Sequence, residues 1–128
     1  MNTKRILVVD DDASVTQTLK LSLEATGGYE VHTENDPVNA LTAARTLRPD
    51  LVLLDVIMPR EDGGDVAARL QVDPLLRDTP VIFLTAILTN SETDGHEMEE
   101  GGHLFLAKPV DLGELKKSIE DQLLRKVV

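Results

Sequence analysis

Three consecutive acids, residues 10–12, directly follow an apolar run at residues 6–9. A continuous apolar run is typical of a buried strand in a parallel sheet. Carboxylates grouped at the end of such a strand repel one another and lose hydration, which costs free energy unless a cation compensates. An oxygen-only ligand set suits Mg²⁺ better than zinc. A second apolar run, at residues 51–54, also ends in an acid, Asp55, so the two strand ends together predict one metal site.

Thr85 and Lys108 also follow apolar runs, at residues 81–84 and 104–107. In open parallel α/β sheets, ligands bind outside the carboxyl ends of the strands. A divalent metal, a hydroxyl and an ammonium group around one carboxylate would stabilise a phosphoryl group in transfer. That carboxylate is ionised at neutral pH and needs no general base to attack phosphorus. The pattern therefore indicates phosphoryl transfer to an acidic side chain.

Predicted strands and helices alternate along the chain, which is typical of an α/β domain with a parallel sheet. Apolar residues at helical spacing predict a helix that ends at Gly27, a second that Asp36 caps, a third near residues 66–70 and a last one that starts at Asp111. The strands are predicted at residues 5–9, 29–33, 51–55, 81–84 and 104–107.

The segment at residues 90–102 breaks this alternation. It carries five acids and no lysine or arginine, and Gly95 interrupts it. Parallel strands need a long crossover, so a helix is expected between the fourth and fifth predicted strands. The segment supports that helix poorly, and we expect it to be short or mobile.

The composition excludes several classes of function. With 128 residues and no cysteine, the chain suits a single domain without thiolate metal sites, a cysteine nucleophile or disulfides. The apolar run at residues 6–9 is too short for a signal peptide or a membrane span, which predicts a soluble cytoplasmic protein. The net charge of −10 argues against binding to nucleic acid or anionic lipid, so we predict no direct contact with nucleic acid or membrane.

Five motifs in order resemble those of the receiver domain of two-component response regulators, the CheY-like family. The separations are 44 residues from Asp11 to Asp55, 30 more to Thr85 and 23 more to Lys108, all close to the family pattern. The motifs are residues 6–11, residues 53–55, Met58-Pro59 with Gly63, residues 83–86 and residues 105–109. The resemblance implies a three-layer, doubly wound, flavodoxin-like fold with a five-stranded parallel sheet of order 2-1-3-4-5. It also implies one receiver domain over residues 1–128, with no output domain in this chain.

The resemblance assigns roles at the acidic strand ends. Asp55 would be the phospho-acceptor that attacks a phosphohistidine of a partner and forms an acyl phosphate. Asp11 would bind Mg²⁺, or Mn²⁺, directly, and Asp10 mostly through a metal-bound water. Asp55 and the backbone carbonyl of Ile57 would complete the protein ligands. For Asp12, capping of the following helix is expected instead of metal ligation.

The remaining motif residues would respond to the phosphoryl group. Lys108 would contact its oxygens as a point charge, and Pro109 resembles the proline, often in a cis peptide, that follows this lysine in the family. Thr85 would move to hydrogen-bond the phosphoryl group, and Phe105 would turn inward into the vacated space. Phe105 replaces the tyrosine that is common there, so its two states must differ by packing alone; the alternative is that Phe105 is an ordinary core residue.

Two isoleucines occupy the positions that influence how water reaches the phosphoryl group in the family. Ile57 and Ile87 lie two residues beyond Asp55 and Thr85. Branched apolar side chains cannot orient an attacking water molecule. We therefore predict slow self-dephosphorylation.

The resemblance also implies the partners. A sensor histidine kinase or a histidine phosphotransfer protein would supply the phosphoryl group, and an unidentified downstream protein would bind the surface of the predicted fourth helix, fifth strand and last helix. The protein would be modified once per signalling event and would not be a turnover enzyme.

Two alternatives remain open at this point. A small phosphatase of the haloacid dehalogenase type would use Asp10 as the nucleophile, with Mg²⁺, a threonine and a lysine, but Asp55 would then have no role. A degenerate receiver would bind its partners without phosphorylation, although the set of acids, Thr85 and Lys108 is complete.

Overall fold

One six-stranded sheet forms the centre of the molecule. The computed structural model describes residues 3–86, 97–100 and 103–127, with the backbone alone for 97–100 and 125–127. The strands are β1 (Lys4–Val9), β2 (Tyr29–Glu34), β3 (Leu51–Asp55), β4 (Val81–Thr85), β5 (Glu97–Glu100) and β6 (His103–Ala107). Their order in the sheet is β2-β1-β3-β4-β6-β5.

Five of these strands form the predicted parallel sheet. β2, β1, β3, β4 and β6 pair in parallel, and β6 is the predicted fifth strand, so the expected order 2-1-3-4-5 is confirmed. Parallel pairing places the carboxyl ends of all five strands at one edge of the sheet. The strand-end residues identified from the sequence are therefore neighbours in space.

Helices cover both faces of the sheet and complete the three layers. They are α1 (Ala13–Ala25), α2 (Ala40–Leu47, preceded by one 3₁₀ turn at Pro37–Asn39), α3 (Gly63–Val72) and α4 (Leu112–Val127). Side chains alternate along β1, so Ile6 and Val8 pack in the core shared with α1 and α4, while Leu7 and Val9 pack in the core shared with α2 and α3. Burial on both faces explains why the central strands are continuous apolar runs.

The acidic segment before β6 differs from the prediction. Its last described part, Glu97–Glu100, is a strand that pairs antiparallel with β6, and not part of a helix. The prediction of a short or mobile segment was made for residues 90–102, and residues 90–96 and 101–102 of it lie outside the described ranges.

Side-chain caps begin the helices at the predicted places. Asp12 accepts hydrogen bonds from the backbone N–H of Ser14 at 2.9 Å and from its hydroxyl at 2.7 Å, which confirms its capping role and lowers the pKa of its carboxyl. Asp36 accepts from the Val38 N–H, and Asp111 from the Glu114 N–H. Within the described ranges, no helix has the length and apolar composition that crossing a membrane requires.

Candidate functional site

Three acids meet at the carboxyl edge of the sheet. The register pairs Val9 of β1 with Leu54 of β3, so the residues that follow them, Asp10 and Asp55, are adjacent. One carboxylate oxygen from each of Asp10, Asp11 and Asp55 lies within 4.8 Å of the others. Asp10 is fully buried, Asp55 is 5% exposed, and Asp11 is exposed. The structure thus brings together the three predicted carboxylates.

Lys108 joins the two buried acids. Its Nζ lies 2.7 Å from Oδ2 of Asp10 and 3.0 Å from Oδ1 of Asp55. Burial alone would disfavour the ammonium, but the hydrogen bonds to both carboxylates outweigh it and raise the pKa of Lys108. Lys108 therefore stays charged at neutral pH. The peptide bond from Lys108 to Pro109 is cis.

Asp55 has an environment that opposes its ionisation. Desolvation is the main cause that raises the pKa of Asp55; the hydrogen bond from Lys108 lowers it, and the charges of Asp10 and Asp11 raise it further. The ionised form is the nucleophilic one. Extra positive charge at this site would therefore favour the reactive state.

The three acids fit a divalent cation in donor type and charge. Their donors are all oxygen atoms, the ligands that Mg²⁺ and Mn²⁺ prefer. Three carboxylates against the one ammonium of Lys108 leave two negative charges, which one divalent ion balances. Asp10 already accepts the backbone N–H of Asp12 on Oδ1 at 2.9 Å, so its carboxylate is held in a fixed orientation.

Thr85 and Ile57 lie beside these acids. Thr85 ends β4, is 1% exposed, and accepts the backbone N–H of Lys108 on its carbonyl oxygen at 3.0 Å. Ile57 follows β3 and is 59% exposed. Ile87, the other predicted rate-tuning residue, lies outside the described residues.

Phe105 packs in an aromatic group that the sequence did not reveal. Its ring stacks on that of Phe83 with centroids 4.9 Å apart, and the rings of Phe83 and His103 are nearly perpendicular with centroids 5.2 Å apart. Phe83 and Phe105 are register partners on β4 and β6. Only the strand register places these side chains together, so sequence spacing alone could not have found the stack.

Two further residues support the acids at this edge: Gly63, which the sequence analysis named only as part of a motif, and Asn35, which it did not single out. Gly63 lies against the backbone of Asp55, and Asn35 hydrogen-bonds the backbone of Asp10. Asn35 directly follows β2, so the strand-end rule that found the acids would also have selected it.

Comparison with protein families gives a match over most of the chain. Residues 6–120 match the family model of the response regulator receiver domain. Among curated relatives, the "DNA-binding dual master transcriptional regulator RpaA" of Synechocystis is 34% identical over 121 residues, which are 94% of this chain and 49% of that protein. The "DNA-binding response regulator MtrA" of Mycobacterium tuberculosis is 38% identical over 122 residues, covering 95% of this chain and 51% of that protein. This chain thus spans about half the length of these relatives.

Solved structures show the same architecture. The chemotaxis response regulator CheY4 of Vibrio cholerae superposes with a TM-score of 0.78 at 27% identity, over 94% of this chain and 99% of that one. The N-terminal domain of a response regulator receiver protein from Methanoculleus marisnigri gives a TM-score of 0.68 at 35% identity, over 92% and 94% of the two chains.

The names of these relatives contradict one prediction. RpaA and MtrA are both named as DNA-binding, whereas the net charge led us to predict no direct nucleic-acid binding. The charge of −10 counts only the present 128 residues. Because each relative is about twice as long, the charge of one half does not determine whether such a protein binds nucleic acid, and the prediction was wrong.

Proposed function

This chain belongs to the response regulator receiver family, and from that premise we propose that it accepts a phosphoryl group on Asp55 with the help of Mg²⁺. The observation that carries the proposal is the contact of one ammonium, that of Lys108, with both Asp10 and Asp55 beside an exposed third acid. The donor is a phosphohistidine of a sensor kinase or of a phosphotransfer protein.

The reaction is a single transfer between two nucleophiles. A carboxylate oxygen of Asp55 forms a bond to phosphorus as the bond from phosphorus to the imidazole nitrogen of the donor breaks. The product is an acyl phosphate on Asp55 and a neutral histidine on the donor, whose ring nitrogen keeps the bonding electrons and takes a proton from solvent as needed. Lys108 faces the charge on the transferred oxygens, as expected for electrostatic stabilisation of phosphoryl transfer.

Asp10, Asp11, Asp55 and the backbone carbonyl of Ile57 would hold the cation. When bound, Mg²⁺ neutralises charge on the phosphoryl oxygens and on the acids. The protein's own contribution is to keep Asp10 and Asp55 buried and oriented through Lys108 and the Asp12 N–H. The protein is modified once per signalling event and does not turn over a substrate.

The test of phosphorylation is intact-protein mass spectrometry after incubation with acetyl phosphate and Mg²⁺. One phosphoryl adduct is expected, and it should be absent without Mg²⁺ and absent from Asp55→Asn. Asp78→Asn is the matched control, because Asp78 is an exposed acid just before β4, at the opposite edge of the sheet. An adduct in Asp55→Asn would move the nucleophile elsewhere, and absence of any adduct would favour a receiver that acts without phosphorylation.

The phosphatase alternative has less support from the geometry. Asp10, its nucleophile, is fully buried, and its two oxygens accept hydrogen bonds from Lys108 and from the Asp12 N–H. Multiple turnover of a phosphate ester, lost on changing Asp10 and retained on changing Asp55, would favour it.

The switch assigned to Thr85 and Phe105 is part of the same proposal. Thr85 would hydrogen-bond the phosphoryl group, and Phe105 would leave its present position on Phe83 and alter the surface around β6 and α4 for a downstream partner. Phe83 and Phe105 are the only phenylalanines in the chain. Fluorophenylalanine labelling therefore gives two ¹⁹F resonances, which Phe83→Leu and Phe105→Leu assign. Phosphorylation should move the Phe105 resonance, and an unchanged resonance would make Phe105 an ordinary core residue.

Ile57 and Ile87 would make the acyl phosphate long-lived. The side chain of Ile57 is exposed, but it is apolar and has no group that could orient a water molecule. A variant with asparagine at both positions should lose the phosphoryl group faster than the natural protein; an equal or longer half-life would refute this role.

A further inference from the structure

Asn35 makes two hydrogen bonds at the carboxyl edge of the sheet. Its Nδ2 donates to the backbone carbonyl oxygen of Asp10 at 2.8 Å and to Oγ1 of Thr16 at 3.0 Å. A carbonyl oxygen can only accept, so the nitrogen of the Asn35 amide must face Asp10. Nδ2 of one side chain thus donates both to the residue that follows β1 and to the first turn of α1.

These bonds fix the peptide that leads into Asp11. The N–H of Asp10 donates to the carbonyl of Glu34 at 3.1 Å, and the carbonyl of Asp10 accepts from Asn35. The Asp10 carbonyl and the Asp11 N–H belong to one rigid peptide plane. Asn35 therefore sets the orientation from which the Asp11 side chain projects.

Thr16 connects this arrangement to the first turn of α1. Its side chain is buried, and its hydroxyl donates to the carbonyl of Ala13 at 3.1 Å while it accepts from Asn35. The peptide between Asp10 and Asp11 is consequently held from the end of β2 and from the start of α1.

Asp11 depends on this backbone support more than the other two acids do. Asp10 and Asp55 are buried, and Lys108 holds both of their carboxylates. Asp11 is exposed. Its carboxylate is therefore placed mainly by its main chain.

We infer that Asn35 is a positioning residue for the metal site, which acts by holding the Asp10–Asp11 peptide so that the Asp11 carboxylate faces Asp10 and Asp55. The inference rests on the proposed function in that it requires these acids to bind Mg²⁺. Groups that orient metal ligands typically contribute a factor of ten or more to metal affinity.

The test is a Mg²⁺ titration of the unphosphorylated protein, followed by backbone amide NMR shifts or by the midpoint of thermal unfolding. Asn35→Ala should weaken Mg²⁺ binding about 10-fold, and the rate of phosphorylation by acetyl phosphate should recover when Mg²⁺ is raised in proportion. Asn39→Ala is the matched control, because Asn39 is exposed and its side chain makes no capping hydrogen bond to α2. Thr16→Val, which keeps the shape and removes the hydroxyl that Asn35 contacts, should give a smaller loss in the same direction.

Two results separate this inference from the proposed metal site. Asp11→Asn should weaken Mg²⁺ binding strongly. If it does and Asn35→Ala binds Mg²⁺ like the control, the positioning role is wrong and the metal site stands. If Asp11→Asn also leaves the affinity unchanged, the metal site fails and the role of Asn35 fails with it. If Asn35→Ala is phosphorylated more slowly and excess Mg²⁺ does not restore the rate, the variant has a general structural defect. That result would also overturn the inference.

Discussion

At the scale of single residues, Asp55 is where stability and function oppose each other. Burial and the neighbouring charges of Asp10 and Asp11 raise its pKa, and Lys108 offsets this only in part. The ionised carboxylate that can attack phosphorus is therefore less favourable in the folded protein than in the unfolded chain. Bound Mg²⁺ would remove this conflict, since it favours the ionised form.

The raised pKa of Asp55 predicts a pH-dependent stability difference for Asp55→Asn. A carboxyl group whose pKa is raised by folding makes its full contribution to stability at a pH below its ordinary pKa. That contribution is lost as the pH rises through the pKa of the group in the folded protein. Asparagine resembles the protonated side chain at every pH. Without Mg²⁺, Asp55→Asn should unfold at a higher temperature than the natural protein at neutral pH, and the difference should shrink as the pH falls through the titration of Asp55.

Thermal unfolding measured by circular dichroism across the acidic to neutral range checks this prediction. Asp78→Asn, an exposed acid away from the site, should show no such trend. A lower unfolding temperature for Asp55→Asn at neutral pH would mean that Lys108 more than compensates the buried charge.

At the scale of secondary structure elements, the junction between β3 and α3 determines where Asp55 lies. The N–H of Gly63 donates to the carbonyl of Val56 at 2.7 Å, which closes the loop that follows Asp55. A Cβ atom at Gly63 would lie 2.4 Å from the carbonyl oxygen of Asp55 and 3.0 Å from Cα of Val56. Only glycine allows the start of α3 to approach the strand end so closely.

Gly63→Ala should therefore disturb both stability and the site. Forcing a methyl group against backbone typically costs about 1–3 kcal/mol, and relief of the contact must shift the loop that carries Asp55. We expect a lower free energy of unfolding in urea together with slower phosphorylation. Gly113→Ala is the control: its Cβ would meet only the Asp111 side chain at 3.4 Å, and the position is helical, so the variant should not lose stability and should keep its phosphorylation rate. If Gly63→Ala keeps the stability and the phosphorylation rate of the natural protein, the close contact between Gly63 and the backbone of Asp55 is not required.

The elements also show how far sequence patterns reach. Continuous apolar runs identified β1, β3 and β4, because strands that are buried on both faces consist almost entirely of apolar residues. The β5 strand was missed because three of its four residues are glutamate, which forms no apolar run and is uncommon in strands. The acids of the site were found because they follow buried strands, whereas the contacts of Asn35 and Gly63 depend on how loops approach β1 and β3, which spacing along the chain does not encode.

At the scale of the whole molecule, one ion pair joins α2 and α3, the two helices that cover the same face of the sheet. Asp73 ends α3, is buried, and accepts the N–H of Leu75 at 2.8 Å and Nε of Arg45 from α2 at 2.6 Å. These bonds, the one from Leu75 foremost, lower the pKa of Asp73. Its effect on stability therefore has the opposite sign from that of Asp55.

A carboxyl group whose pKa is lowered by folding stabilises the protein at a pH above its ordinary pKa. That contribution is lost as the pH falls through the pKa of the group in the folded protein. Asp73→Asn should accordingly lower the unfolding temperature at neutral pH, with a difference that disappears in acid. The same pH series of thermal unfolding measures it, and Asp78→Asn again serves as the control. A difference that stays constant with pH would assign the loss to packing and not to the charge of Asp73.

Whole-molecule properties were predicted unevenly. The strand order followed from a family resemblance carried by a few motifs, and the structure confirms it. Net charge misled us about nucleic acid, because it describes only the residues that are counted. The prediction that residues 1–128 form one receiver domain without an output domain stays a prediction.

The most direct measurement of the central claim locates the phosphoryl group. Borohydride reduces an aspartyl phosphate to homoserine with release of phosphate, and tandem mass spectrometry of the peptides then identifies the reduced position. After treatment with acetyl phosphate and Mg²⁺, we predict homoserine at position 55 and aspartate retained at positions 10 and 11. Homoserine at position 10, or at no position while the intact protein carries an adduct, would contradict the assignment of Asp55 as the phospho-acceptor.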